Sequence, residues 1–218
     1  MPYLSEFISI IIPVFNEAES IGYLIDEVKS VMEENKFNFE LIVVNDGSRD
    51  NTQAALDELA LKTKELLVIS LRKNYGQTAA MAAGFDNSKG DIVITLDGDL
   101  QNDPDDIPKL ISEINKGYDL ICGWRFERKD KLINRKIPSK IANKLIAKVT
   151  GLKLHDYGCS LKAFKKEILD DIKYKVNCIG FFQFYQKLKE QKLKKLKLIT
   201  VVENMVLVNM VLIELLGF

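Results

Sequence analysis

The chain has 218 residues, of which 47% are apolar and 28% charged, with 31 Lys+Arg balanced by 31 Asp+Glu. That is enough for one α/β domain with a proper core and too short for two ordinary domains, and the composition excludes a disordered or fibrous chain. Charge neutrality favours neither a nucleic-acid partner nor an acidic one, while three cysteines without CxxC spacing and a single histidine exclude a thiolate or imidazole metal site.

In chain order, residues 7–13 form a continuous β-branched run, and residues 17–35 follow with amphipathic spacing, which predicts a buried strand feeding a helix. The pattern recurs at 39–44 and 50–64, at 66–71 and 77–87, at 91–96 and 104–116, and ends in a strand at 119–122. Alternation of this kind predicts βαβ units, right-handed crossovers and a mostly parallel sheet flanked by helices. In such sheets ligands sit beyond the carboxyl ends of the strands, so the residues just after each strand are the functional candidates.

The character changes at Trp124. Between residues 125 and 148 there are nine Lys or Arg against two acids, with Ile141, Leu145 and Val149 at helical spacing beside Lys140, Lys144 and Lys148. Two readings fit: a helix lying on an anionic membrane surface, or a solvated basic face over a buried stripe. A reducing cytosol is the expected compartment, since no secretory leader is read at the N-terminus and the longest apolar run, 206–218, is too short to span a bilayer.

Three strand ends carry acids. After the fourth strand comes Asp97-Gly98-Asp99, two hard oxygen ligands around a glycine where the backbone can bend to admit a diphosphate, a donor set suited to Mg²⁺ or Mn²⁺. Such a tripeptide is common, and its place after a strand is what gives it weight. The second strand ends in Asn45-Asp46-Gly47-Ser48, followed by Asp50 and Thr52. This is a good turn and helix cap, or else a carboxylate aimed at a base or ribose. The first strand ends in Pro13-Val14-Phe15-Asn16-Glu17, where Asn16 or Glu17 also suits a helix start.

These strings, together with Asn74-Tyr75-Gly76-Gln77 and the run from Leu96 to Pro104, resemble a family 2 glycosyltransferase of the GT-A fold. More narrowly they resemble the polyprenyl-phosphate sugar transferases, over about residues 7–173. The resemblance implies a nucleoside-diphosphate sugar donor, a polyprenyl-phosphate acceptor, Mg²⁺ or Mn²⁺ as cofactor, and a chain peripheral at the cytoplasmic membrane face. It implies that Pro13, Phe15, Glu17, Val44 and Asp46 hold the nucleoside. Asp97 and Asp99, with Gly98 between them, hold the metal and diphosphate, and Gln101 assists the metal. Gly123-Trp124-Arg125 and Arg128 resemble the phosphate-binding cluster, Arg135 is a further candidate for guiding the anionic substrates, and Asp156 matches an acid near the reacting centre, so that Asp99, Arg125 and Asp156 are the expected catalytic set. The rival readings are a sugar-nucleotide pyrophosphorylase, which resembles a pattern with a Gly-rich loop where Phe15-Asn16-Glu17 stands, and a nucleotide-sugar-binding remnant that transfers nothing. No GxGxxG follows any strand, which argues against a dehydrogenase.

Beyond Lys173 the family pattern vanishes. A basic amphipathic helix and a short apolar helix is one reading of residues 174–218, but the tail also reads as a frame-shifted and truncated continuation. Taking each codon from the last base of one residue and the first two of the next, Met205-Val206 and Met210-Val211 both force glycine. Other positions permit the family's His-Arg-Phe helix and its Arg-x-x-Gly-x-Ser-Lys-Tyr acceptor loop. The expected division is therefore 1–173 as the GT-A domain and 174–218 as an atypical tail, with a single-base change near residues 174–176 and activity impaired or lost. An intact frame across codons 170–180 would end that expectation.

Overall fold

The computed structural model describes residues 6–124, 159–173, 196–202 and 207–213, with 124, 170–173 and the last two segments described by their backbone course. The strands are β1 (Phe7–Val14), β2 (Asn38–Asn45), β3 (Leu66–Ser70), β4 (Ile92–Thr95), β5 (Leu120–Trp124), β6 (Lys162–Lys165), β7 (Leu196–Val202) and β8 (Leu207–Ile213). The helices are α1 (Ile21–Glu34), α2 (Thr52–Lys62), α3 (Gln77–Asn87), α4 (Ile107–Asn115) and α5 (Lys166–Lys173), and a 3₁₀ turn at Pro104–Asp106 leads into α4.

The sheet order is β3-β2-β1-β4-β6-β5-β7-β8. The β3-β2-β1-β4 half is parallel, as the alternating pattern predicts, because each strand is returned to the same edge by a helix. Strand β6 enters antiparallel between β4 and β5. Its insertion was not read from the sequence, because Lys162–Lys165 is a four-residue strand whose partners lie more than 35 residues away in the chain. Strand β7 runs parallel to β5 and β8 pairs antiparallel with β7. One reading of the tail ends it in a short apolar helix. Instead the Val- and Leu-rich centre of the run 206–218 is extended, consistent with the strand preference of branched side chains.

Both faces of the sheet are covered, which is why its central strands read as continuous apolar runs. One face carries Ile8, Ile10, Ile12 and Val14 of β1 against α1, α2 and α4. The other carries Ile11, Ile42, Val44 and Val93 against α3 and α5, where Phe85 and Phe164 meet edge to face with centroids 5.9 Å apart. Helix α1 buries Ile21, Leu24, Ile25, Val28 and Met32, a stripe at three- and four-residue spacing, and each such side chain contributes about 1.5–3 kcal/mol on leaving water.

Two boundaries differ from expectation. The first helix begins at Ile21 and not at Glu17, because Asn16 adopts a left-handed conformation (φ 58°) and the residues after it are held in a loop by the neighbouring strand end. The fourth begins as a 3₁₀ turn, where the Asp103 side chain accepts the N–H of Asp105 ahead of α4. The basic segment 125–148, with Arg125, Arg128 and Arg135, lies outside the described residues, as does Asp156.

Candidate functional site

The carboxyl ends of β1, β2 and β4 meet at one edge, and the loops that follow them are tied to one another before any ligand is considered. The N–H of Asn16 donates to Ser48 Oγ (2.9 Å), and the N–H of Arg49 returns to Asn16 Oδ1 (2.8 Å). The N–H of Glu17 donates to Thr52 Oγ1 (2.9 Å) and that of Ala18 to Asp50 Oδ2 (3.2 Å). The Asp-Gly-Ser-x-Asp-x-Thr run is therefore a clasp on the β1–α1 loop as much as a helix start. Asn51 occupies the N-cap of α2 without a side-chain bond, while Asp50 accepts from the hydroxyl and the N–H of Thr52. Donation from the Thr52 hydroxyl, ahead of the backbone N–H groups, holds the Asp50 carboxyl below the usual carboxylate range.

Asp46 is 3% exposed, and its two oxygens accept the N–H groups of Tyr75 and Gly76, each at 2.8 Å. It lines the edge, yet its hydrogen bonds go first to the loop entering α3. Gly47 (φ 67°) sits directly beneath that loop, so close that a Cβ there would lie 2.4 Å from the backbone carbon of Lys73 and 2.6 Å from the nitrogen of Asn74.

Beyond β4, Asp97 is half-buried and accepts from Gln77 Nε2 at 2.7 Å. Asp99 is exposed, with Oδ1 accepting the N–H of Gln101 at 3.1 Å across Leu100, which is left-handed (φ 60°). Gly98 is buried, since a Cβ would come within 2.7 Å of Val14 Cγ1 and 3.3 Å of the Pro13 carbonyl. Ser20 Oγ lies 2.6 Å from Glu17 Oε2 and 3.1 Å from the Gly98 carbonyl, linking the first and fourth strand ends.

A cavity of ≈ 300 Å³ opens among these loops. Of the expected site residues it is lined by Pro13, Phe15, Glu17, Asp46, Asp97, Gly98 and Asp99, and Gln77 stands beside them. Val44 is not part of the lining: it is fully buried in the core beneath α3, where its register partner on β1 is Pro13. The Gln101 side chain is exposed and also outside the lining, and Gln101 meets the site through its backbone N–H on Asp99.

Residues 159–162 are fixed at the same edge. Thr95 Oγ1 donates to the Ser160 carbonyl (2.5 Å), Asn102 Nδ2 donates to Ser160 Oγ (2.8 Å), and the N–H of Gly123 donates to the Leu161 carbonyl (2.9 Å). The ammonium of Lys162, 1% exposed, donates to the Cys159 carbonyl. Sequence reasoning passed over Gln77, Asn102, Ser160 and Lys162. Gln77 and Asn102 belong to motifs that carry the resemblance, but nothing local says what their amides hold.

Among the described residues, no group of three or more His, Cys, Asp or Glu side chains is arranged to hold a metal. Two carboxylates at an open cavity suit a hard divalent cation that takes its remaining ligands from a diphosphate and water, the usual habit of Mg²⁺. The residues present therefore fit such an ion as a partner of the donor and not as a resident structural centre.

Comparison with known proteins gives three findings. The family model described as Glycosyl transferase family 2 matches residues 9–173. Dodecaprenyl-phosphate galacturonate synthase of Rhizobium johnstonii is 47% identical over 79% of this chain and 52% of its own length. Undecaprenyl-phosphate 4-deoxy-4-formamido-L-arabinose transferase of Pseudomonas fluorescens is 41% identical over 78% and 50%, so the chain spans about half the length of the curated relatives it matches. Among solved structures, glucosyl-3-phosphoglycerate synthase of Mycobacterium tuberculosis superposes with TM-score 0.65 at 19% identity, covering 93% of this chain and 74% of that one. Its complex with Mn²⁺ and UDP-glucose superposes with TM-score 0.60 at 21% identity, covering 75% and 57%. These likenesses show the shared GT-A fold, and in the neighbour that fold binds Mn²⁺ with a uridine nucleotide.

Proposed function

Since the chain belongs to glycosyl transferase family 2, we propose that it binds a nucleoside-diphosphate sugar at the edge of β1, β2 and β4 and transfers the sugar, with inversion, to a polyprenyl phosphate. The observation that carries this reading is the convergence of Asp46, Asp97 and Asp99, from two strand ends, on one cavity with Phe15 and Glu17 of a third. The two relatives named above, one for a dodecaprenyl and one for an undecaprenyl phosphate acceptor, support the acceptor class.

In this reading Phe15, 39% exposed, offers its ring to the base, and Pro13 and Glu17 shape the nucleoside end. Asp97 and Asp99 would hold Mg²⁺ or Mn²⁺, and Gly98 lets the loop between them pack directly on Val14 and Pro13 at the cavity wall. When bound, the cation neutralises charge developing on the departing diphosphate. A lipid phosphate is already largely dianionic at neutral pH, its second ionisation lying near pH ~6, so its oxygen needs no strong base to attack. The new bond joins that oxygen to the anomeric carbon as the carbon–oxygen bond to the diphosphate breaks, and the nucleoside diphosphate leaves with the electron pair. Arg125, Arg128 and Arg135 are proposed to guide the two anions together, a task suited to guanidinium forks, with Asp156 near the reacting carbon and Gln101 beside the metal.

Residues 1–173 form the GT-A unit of this proposal. For residues 174–218 a second reading has its own observation, the two glycines forced in the alternative frame by Met205-Val206 and Met210-Val211. Under it the chain binds donor and turns over poorly. Among the described residues no helix is long and apolar enough to cross a membrane. Contact with the membrane face is accordingly proposed through the basic segment and the lipid acceptor.

Donor-hydrolysis and lipid-phosphate transfer assays on one preparation, with Mn²⁺ and a panel of nucleotide sugars, separate the readings. Sugar appearing on the lipid phosphate is the expected result. Donor binding with neither turnover supports the remnant, and no donor binding overturns the assignment.

A further inference from the structure

Gln77 has no role in the proposal so far, yet it is the first residue of α3 and its amide donates to Asp97 Oδ1 at 2.7 Å. Its own position is set from below. Asp46, buried at the end of β2, accepts the N–H groups of both residues that precede it, Tyr75 and Gly76. Gly76 (φ 92°) makes the turn that brings the helix start over the cavity. The carboxylate of the second strand end thus reaches the carboxylate of the fourth through two backbone amides and one side-chain amide.

We propose that Gln77 is a positioning residue for Asp97: held in place by the Asp46 grip on residues 75–76, its amide fixes the rotation of the Asp97 carboxylate before a divalent cation and diphosphate arrive. This rests on the reading of Asp97 as a metal ligand. Ordering a ligating carboxylate in one orientation costs conformational entropy. A charge-assisted bond from a neutral amide contributes to that ordering in advance and itself adds no positive charge. Groups behind a ligating carboxylate are held to matter for this reason, and their loss typically weakens metal binding by roughly 10–100-fold. The arrangement also gives Asp46 a duty distinct from touching the base, because its hydrogen bonds are spent on the loop that carries Gln77.

The test uses Gln77→Met, which keeps the approximate length and helix preference of the exposed side chain and removes its amide, donor and acceptor together. The dissociation constant for UDP is measured by calorimetry on the full chain, once in EDTA and once in Mn²⁺, and the ratio of the two is the metal-dependent gain. The expected result is a metal-dependent gain reduced about 10-fold in Gln77→Met, a ratio in which any loss of metal-free contact cancels, with the melting temperature unchanged. Asp97→Asn is run in parallel. A gain present in wild type, abolished by Asp97→Asn and untouched by Gln77→Met overturns the positioning role alone. Equal weakening in EDTA and in Mn²⁺ also overturns it, because that marks a contact with the nucleotide. No metal-dependent gain in wild type overturns the metal reading and the positioning role together.

Discussion

Replacing Asp99 with Asn is expected to weaken Mn²⁺-dependent UDP binding about 100-fold, roughly 2.7 kcal/mol, while leaving the fold intact. The side chain is exposed, and its Oδ1 accepts the Gln101 N–H at 3.1 Å, a bond that an asparagine carbonyl keeps. No core residue depends on it, so melting temperature should stay within about 2 °C, as for an ordinary surface change. What is lost is one unit of negative charge on a hard oxygen ligand, in a site where the described residues supply two such ligands and the diphosphate must supply the rest. Calorimetry with UDP in Mn²⁺ and in EDTA reads the effect directly: the EDTA value should not change, since Asp99 then has no cation to share with the nucleotide. Unchanged affinity in Mn²⁺ refutes the metal assignment.

Gly47→Ala is expected to damage both stability and donor binding, although glycine and alanine differ by one methyl. Gly47 is left-handed, where an L-residue with a Cβ costs about 1–2 kcal/mol. The added Cβ would also stand 2.4–2.6 Å from three backbone atoms of Lys73 and Asn74, none of which can rotate away as a side-chain tip would. The loop must lift, drawing the N–H groups of Tyr75 and Gly76 off Asp46 and leaving a buried carboxylate short of its partners, which costs a further ~1–3 kcal/mol. A total near 3 kcal/mol corresponds to a fall of about 6–12 °C in a chain of this size. UDP binding should fall in the same variant because Asn74, Gly76 and Gln77 line the cavity. Gly22 is the control: it lies inside α1 with nothing within 4 Å of an added Cβ, and Gly22→Ala should be neutral or stabilising by roughly 0.5–1 kcal/mol. A Gly47→Ala protein that melts like wild type would show that the loop is not held where the structure places it.

The parallel half of the fold was legible because its signals are local. Ile10 to Ile12 and Leu41 to Val44 are buried on both faces, and that writes unbroken apolar runs into the sequence. The acids of the site were legible for a related reason, since a polar cluster straight after such a run must stand at the edge of the sheet. What escaped is what depends on contacts between distant segments. The start of α1 moved from Glu17 to Ile21 because Asn16, Glu17 and Ala18 are held by Ser48, Thr52 and Asp50, residues 32–35 positions away. Asp46 lines the cavity, and what could not be read locally is that its oxygens receive the loop 29–30 residues on. Val44 resembled a nucleoside contact, but strand alternation turns it into the α3-side core. Strand β6 was invisible because a short antiparallel insertion between β4 and β5 is specified by its neighbours more than by its own pattern.

In the proposed function, Asp97 and Asp99 grip one divalent cation and, through it, the diphosphate of a nucleotide. A crystal grown with Mn²⁺ and UDP, with diffraction recorded near the manganese absorption edge, tests this most directly. One anomalous peak at coordination distance, about 2.1 Å, from oxygens of both aspartates, with diphosphate oxygens completing its shell, is the predicted result. A bound nucleotide with no such peak, or a peak ligated by neither aspartate, would contradict it.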